Sequence, residues 1–297
     1  MENQKLLFIV NPHAGNNRIR LKVLQILDNF VKSGYDVTFY STQKKGDATE
    51  IIEKRGAEFD TVICCGGDGT LNESLNGIIK LNAPIKIGYI PCGTTNDFAF
   101  NYKLPTNNVK ASEQLCRGVP TPIDVGILNG RAFSYVAAFG AFTDIPYQTP
   151  QQSKAVFGKL AYYTEVVKSI PKLSSVHASI CCNGETFEDD FLYGMISNSL
   201  HIGGFKMSSI MKNITDISLN DGKLEAMFVS KPKNPAEFQE ILNTLLFSHS
   251  SPLVRTFQTD NLSISFSEPT SWTLDGEFGG NPTEVSFSVH SGVSLIV

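Results

Sequence analysis

Residues 59–73 read Phe59-Asp60-Thr61-Val62-Ile63-Cys64-Cys65-Gly66-Gly67-Asp68-Gly69-Thr70-Leu71-Asn72-Glu73, a buried β run that passes through a glycine-rich turn into a helix. The helix extends over 70–80, with Leu71, Leu75, Ile78 and Ile79 on its apolar face. Working outward, residues 5–10 form a strand. Val23, Leu27, Phe30 and Val31 recur at helical spacing across 18–33, 35–41 alternates like a strand, 47–55 fits a helix, and Ile85–Ile90 is a further strand. The order βαβαβαβ predicts a doubly wound parallel α/β sheet, whose ligands bind beyond the carboxyl ends of the strands.

Past Pro120-Thr121-Pro122 the pattern changes. Short β-prone stretches at 123–128, 132–139, 176–182, 191–197, 224–229, 262–266 and 285–289 predict an antiparallel β-sandwich, interrupted by helical patterns at 153–169 and 235–248. The expected division is a nucleotide-binding α/β domain over 1–122 and a β-rich substrate domain over 123–290, with residues 291–297 returning to the first.

The chain has 297 residues, of which 41% are hydrophobic and 18% charged, so a packed protein of about two domains is expected. With 25 basic and 29 acidic residues and no Lys/Arg cluster, nothing suits a nucleic-acid partner. No apolar run reaches the roughly 18–20 residues of a membrane-spanning helix, and the N-terminal apolar stretch is too short for a signal peptide, which together predict a cytoplasmic protein. The six cysteines form no CxxC pair and are read as reduced thiols, and the five histidines lack zinc spacing.

Three strand-ending loops share a composition: Asn11-Pro12-His13-Ala14-Gly15, Gly66-Gly67-Asp68-Gly69-Thr70, and Pro91-Cys92-Gly93-Thr94-Thr95-Asn96-Asp97. One such loop alone is an ordinary βα turn; three opening on the same sheet edge suit a phosphate. Glycines let backbone N–H groups approach the anion, and the helix that begins near Thr70 offers it a positive end. Asp68 and Asp97 would repel a bare phosphate, which points to Mg²⁺ between carboxylate and nucleotide. The third glycine of GxGxxG is missing and GxxxxGK[ST] does not occur, so neither the dinucleotide fingerprint nor the P-loop applies.

These motifs resemble those of the soluble bacterial diacylglycerol kinase and lipid kinase family, relatives of sphingosine and ceramide kinases. The resemblance runs through Gly66–Glu73, Pro91-x-Gly93-Thr94-Thr95-Asn96-Asp97-Phe98-Ala99, Gly46-Asp47-Ala48, Asp124-Val125-Gly126, Gly203-Gly204-Phe205, Asn220-Asp221-Gly222 and Asp275-Gly276-Glu277. It implies a two-domain fold, ATP as phosphoryl donor, and a lipid hydroxyl as acceptor. ATP contacts are implied for Asn11, Pro12, His13, Ala14, Gly15, Thr42, Gly67, Asp68, Gly69, Thr70, Leu71, Asn72, Glu73 and Thr94. Asp68 would sit by the catalytic magnesium, with Asp97 and Asp124 in support. In Asp275-Gly276-Glu277 one carboxylate accepts the hydroxyl proton; Asp275 is favoured, with Glu277 beside it. A second magnesium is implied at Ser218, Asp221 and Lys223, through the Asp221 carboxylate and two backbone carbonyls. The sequence departs from the family at Phe100, where many members have Arg, and over Lys212–Ile217.

The implied activity is ATP-dependent phosphorylation of diacylglycerol or a similar lipid by an enzyme peripheral at the membrane surface, with a homodimer left open. The tract Lys154–Lys172 offers cations among aromatics to anionic headgroups, or packs as an ordinary surface helix. Two other readings stay open: an NAD kinase-like enzyme, which shares the Gly-Gly-Asp-Gly-Thr loop, and a non-catalytic lipid-binding or regulatory protein of the same fold.

Overall fold

A computed structural model describes residues 4–93, 96–140, 174–202, 205–211, 214, 217–247 and 250–297. Strands β1 (Gln4–Val10), β2 (Tyr35–Ser41), β3 (Thr61–Gly66) and β4 (Lys86–Pro91) lie parallel in the order β2-β1-β3-β4. The helices of this part are α1 (Val23–Lys32), α2 (Asp47–Arg55), α3 (Asp68–Leu81), α4 (Asp97–Asn101) and α5 (Asn108–Arg117). Because side chains alternate along a strand, Leu6, Phe8 and Val10 pack with Ile26 and Phe30 of α1 and Leu115 of α5, while Leu7 and Ile9 pack with Ile52 of α2 and Leu71 and Leu75 of α3. Both faces of the sheet are thus covered, as a doubly wound fold requires.

The second part is built from antiparallel strands: β5 (Pro120–Leu128), β6 (Arg131–Phe133), β7 (Val136–Gly140), β8 (Val176–Cys182), β9 (Glu185–Ser197), β10 (His201–Ile202), β11 (Phe205–Lys206), β12 (Leu224–Ser230), β13 (Val254–Thr259), β14 (Asn261–Phe266), β15 (Trp272–Leu274), β16 (Glu277–Gly280) and β17 (Glu284–Ile296). They enclose an aromatic core in which Phe139 meets Trp272 at 4.9 Å and Phe266 at 5.0 Å between ring centroids. A helix over Pro235–Phe247 packs beside it.

The two parts share one sheet. β17 pairs antiparallel with β14 and β5, then runs parallel to β4 at Ser294↔Lys86 and Leu295↔Ile87. Its register against β5 shifts between His290 and Val293.

Three features differ from the sequence reading. The helix expected over 18–33 begins instead as a 3₁₀ turn, Ala14–Leu21, before α1. The strand expected over 132–139 is two strands, because the backbone N–H groups of Ser134, Tyr135 and Val136 turn to the carboxylate of Asp275. Strands β10, β11, β13, β15 and β16 and helices α4 and α5 carry no clear signal in the sequence. The helical pattern at 153–169 and the Lys154–Lys172 tract lie outside the described residues. All six cysteines are free thiols.

Candidate active site

The loops after β1, β2, β3 and β4 meet at one edge of the parallel sheet around a cleft of about 480 Å³. Asn11 donates its Nδ2–H to Thr70 Oγ1 at 3.2 Å and accepts the His13 N–H at 3.0 Å, tying the first loop to the start of α3. Gly15 has φ +58°, and a Cβ there would lie 2.4 Å from the Cys92 carbonyl oxygen. Gly67 and Gly93 touch, a Cβ on Gly93 lying 2.9 Å from Gly67 Cα. Where the three loops converge, glycine is therefore required at 15 and 93.

From the sequence-derived set, Asn11, His13, Ala14, Thr42, Gly67, Gly69, Thr70, Asn72, Glu73 and Glu277 line this cleft. Thr94 lies outside the described residues. Asp68 and Asp97 are the first residues of α3 and α4, next to the third and fourth loops in sequence, but both are largely buried and neither lines the cleft. Leu71 is fully buried in the α/β core, which leaves only its backbone to face a ligand. Pro12 and Gly15 shape the first loop without lining the cleft. Glu73 spends its carboxylate on the start of α2, accepting the Gly46 N–H at 2.7 Å and the Ala48 N–H at 3.3 Å.

The cleft also holds residues that the sequence reading did not single out: Gln43, Lys44, Lys45, Gly93 and Arg131. Lys45 and Arg131 bring positive charge to a phosphate-sized space. Nothing in a lone Lys-Lys or Arg within polar sequence marks this; only the loop after β2 and the β5–β6 turn converging on one cleft does.

The two carboxylates of the Asp275–Glu277 turn occupy different environments. Asp275, at φ +52°, is buried and accepts five hydrogen bonds. Ser134 N–H (2.6 Å), Ser134 Oγ–H (2.9 Å) and Asn72 Nδ2–H (2.8 Å) reach Oδ2, and the N–H groups of Tyr135 (3.0 Å) and Val136 (3.1 Å) reach Oδ1. Burial pushes the Asp275 carboxyl up from the ordinary carboxylate range, and the donors from Ser134, Tyr135, Asn72 and Val136 pull against that. Glu277 is half-exposed. Its Oε2 pairs with Lys45 Nζ at 2.7 Å, and its Oε1 lies 3.8 Å from where a Cβ on Gly69 would stand, over the first turn of α3.

Asp124 is not among the residues that line the cleft. Its Oδ2 accepts the Gly222 N–H at 2.6 Å, its own N–H donates to Leu219 O at 2.9 Å, and its carbonyl accepts from Asn198 at 2.6 Å, so it clamps the loop containing Ser218, Asp221 and Lys223. Asp221 Oδ1 accepts the Lys223 N–H at 3.1 Å. Close by, Glu225 is fully buried and its Oε2 has no hydrogen-bond partner among the described residues; burial, with Asp221 adding repulsion, pushes its carboxyl up to about 7. Asp221 and Glu225 are near enough for their charges to interact, and carboxylate oxygens are donors that suit a hard cation. Among the described residues no three His, Cys, Asp or Glu side chains converge by themselves on a metal position, so magnesium in the cleft would need nucleotide phosphates among its ligands.

Glycine-lined loops at the carboxyl ends of parallel strands, a helix N-terminus and a carboxylate across the cleft define a phosphate-binding α/β protein equipped for phosphoryl transfer. The comparisons with known proteins agree. Residues 5–128 match the model of the diacylglycerol kinase catalytic domain. The diacylglycerol kinase of Bacillus subtilis (strain 168) is 33% identical over 277 residues, covering 92% of this chain and 89% of that protein, and the diacylglycerol kinase of Staphylococcus carnosus (strain TM300) is equally identical, with 92% and 88% covered. The crystal structure of a diacylglycerol kinase from Bacillus anthracis str. Sterne superimposes with a TM-score of 0.74, spanning 100% of this chain and 97% of that one at 22% identity. The chain belongs to the diacylglycerol kinase family.

Proposed function

We propose that this chain is an ATP-dependent lipid kinase, which moves the γ-phosphoryl group of ATP to a hydroxyl of diacylglycerol or a similar lipid. The observation that carries the reading is Glu277, half-exposed over the first turn of α3 in the same cleft as the glycine loops. Backbone N–H groups of Gly67 and Gly69 and the polar side chains of Asn11, Thr42 and Thr70 hold the polyphosphate, assisted by the positive end of α3. Magnesium, held through Asp68 and the phosphates with Asp97 nearby, would neutralise their charge. The lipid oxygen forms its bond to the γ-phosphorus as the bond from that phosphorus to the ADP oxygen breaks, and the hydroxyl proton passes to Glu277.

We assign the proton to Glu277 rather than Asp275. Five donors already occupy Asp275, so no lone pair of that carboxylate is offered to a substrate. Its role in this reading is to hold the turn that aims Glu277. A second cation at Ser218, Asp221 and Lys223 would brace the β-rich part, with Asp124 fixing the loop. Because the acceptor is a bilayer lipid, and no described helix is long and apolar enough to cross a membrane, the enzyme docks peripherally at the bilayer surface. Vesicle co-sedimentation tests that docking, and analytical ultracentrifugation tests a homodimer.

The deciding experiment offers γ-labelled ATP with diacylglycerol, monoacylglycerol, ceramide, sphingosine, phosphatidylglycerol and NAD in parallel. Label in diacylglycerol or a neutral relative is expected. Label in NAD alone would support the NAD kinase-like reading, and label in nothing would support a non-catalytic lipid-binding protein.

A further inference from the structure

The ion pair between Lys45 and Glu277 is the one salt bridge among the described residues that joins the α/β part to the β-rich part. Its ends are 232 residues apart in sequence and 2.7 Å apart in space. Both side chains are well exposed to solvent, at 71% and 51%. The pair is therefore accessible to a charged competitor, and an exposed pair of this kind is easily exchanged.

The loop that carries Lys45 is not free to drift. Asp47 Oδ2 accepts the N–H groups of Gln43 and Lys44 at 2.5 and 3.2 Å, and Glu73 accepts that of Gly46 at 2.7 Å, so both flanks of Lys45 are anchored while its side chain extends into solvent as far as Glu277. The adjacent Lys44 points elsewhere, to Glu50 at 2.8 Å. Lys45 thus has two acceptors within the same cleft: Glu277, and any polyphosphate bound at Gly67, Gly69 and Thr70. A triphosphate carries more negative charge than one carboxylate and offers oxygens from several directions, so it wins the ammonium group.

We infer that Lys45 hands its charge from Glu277 to the triphosphate when ATP binds, and that this exchange frees the Glu277 carboxylate to accept the lipid proton. Before ATP arrives, Glu277 Oε2 is engaged by Lys45; afterwards it is open to the acceptor hydroxyl. Nucleotide therefore binds productively before lipid. The inference rests on Glu277 being the proton acceptor, and it makes Lys45 a positioning residue for that group.

A double-mutant cycle read by calorimetric titration of Mg-ATP into the lipid-free protein tests it. Lys45→Met should weaken Mg-ATP binding about 10–100-fold, the range for losing a hydrogen bond to a charged group. Glu277→Gln should tighten it about two- to fivefold, the scale of an exposed ion pair that no longer competes. The tightening should vanish when Glu277→Gln is made in the Lys45→Met background and return in the Lys45→Arg background. Equal tightening with and without Lys45 would show general repulsion between Glu277 and phosphate, and would overturn the handover; so would no tightening at all. If Glu277→Gln keeps wild-type turnover on labelled lipid, the proton-acceptor reading fails instead, an outcome the binding cycle cannot imitate.

Discussion

Asn72, in the second turn of α3, donates its Nδ2–H to Asp275 Oδ2 at 2.8 Å, joining the phosphate-loop helix to the turn that carries Glu277. The same amide reaches Ala132 O at 2.9 Å, and Asn72 Oδ1 accepts from Asn76 at 3.0 Å. Every polar atom of this side chain is thus used inside the protein. Asn72→Ala should lower unfolding free energy by about 1–3 kcal/mol, the usual cost of stranding a buried polar group. Turnover should fall with it as the Asp275–Glu277 turn loosens; urea unfolding and steady-state assays on the same sample would show both.

Asp275→Asn and Glu277→Gln should fail in different ways. Asn adopts positive φ at least as readily as Asp, so the backbone at 275 loses nothing. The loss lies in the hydrogen bonds. An amide offers one oxygen where the carboxylate offered two, stranding at least two of the five donors, and the expected destabilisation exceeds about 3 kcal/mol. Glu277→Gln should keep the wild-type unfolding curve while kcat drops by about 10²–10⁴, the range for losing a general base. A stable, inactive Asp275→Asn protein alongside a fully active Glu277→Gln protein would reverse the two roles.

Gly15→Ala should damage nucleotide binding with little effect on the fold. The added methyl meets the Cys92 carbonyl oxygen at 2.4 Å at a residue already at φ +58°. Relief requires the first and fourth loops to part, at a strain of about 1–3 kcal/mol. A rise in the KM for ATP, with a fall of only a few degrees in the melting temperature, is the expected result.

His177 sits between Asp190 at 2.9 Å and Glu188 at 2.7 Å on the exposed side of β8 and β9. Hydrogen bonds to Asp190 and then Glu188 push its imidazole above the ordinary histidine value. The sign follows from linkage: a pKa raised in the folded state adds stability that is fully present below about pH 6.5 and is lost as pH rises through the higher folded value. NMR titration should place the His177 midpoint above 6.5, and Asp190→Asn with Glu188→Gln should return it toward that value.

The parallel half of the fold was legible because its strands are long apolar runs, such as Thr61-Val62-Ile63-Cys64-Cys65, separated by helices with clear apolar faces. The short strands were not. Trp272-Thr273-Leu274 has too few residues to show a period, and Glu277-Phe278-Gly279-Gly280 reads as turn. For the site, glycine spacing marked the phosphate loops, and the Asp-Gly-Glu resemblance marked the turn opposite. The division of labour inside that turn could not be read, because it depends on Ser134, Tyr135, Val136 and Asn72, which lie 139 to 203 residues away from Asp275. Lys45 carries no signal of its own for the same reason: its partner Glu277 is 232 residues away in sequence.

The last strand also limits how the cleft can move. β17 is laddered to β14 and β5 in the β-rich part and to β4 in the parallel part, so the two halves are not beads on a flexible tether. Swinging them apart would tear ladder bonds, except at the register shift between His290 and Val293, where Gly292 stands at φ +88° and the strand is already broken in step. That spot is the natural pivot. Gaping and closing of the cleft should therefore be a small flexing about Ser291-Gly292, visible in hydrogen exchange as rapid labelling there between two slowly exchanging arms.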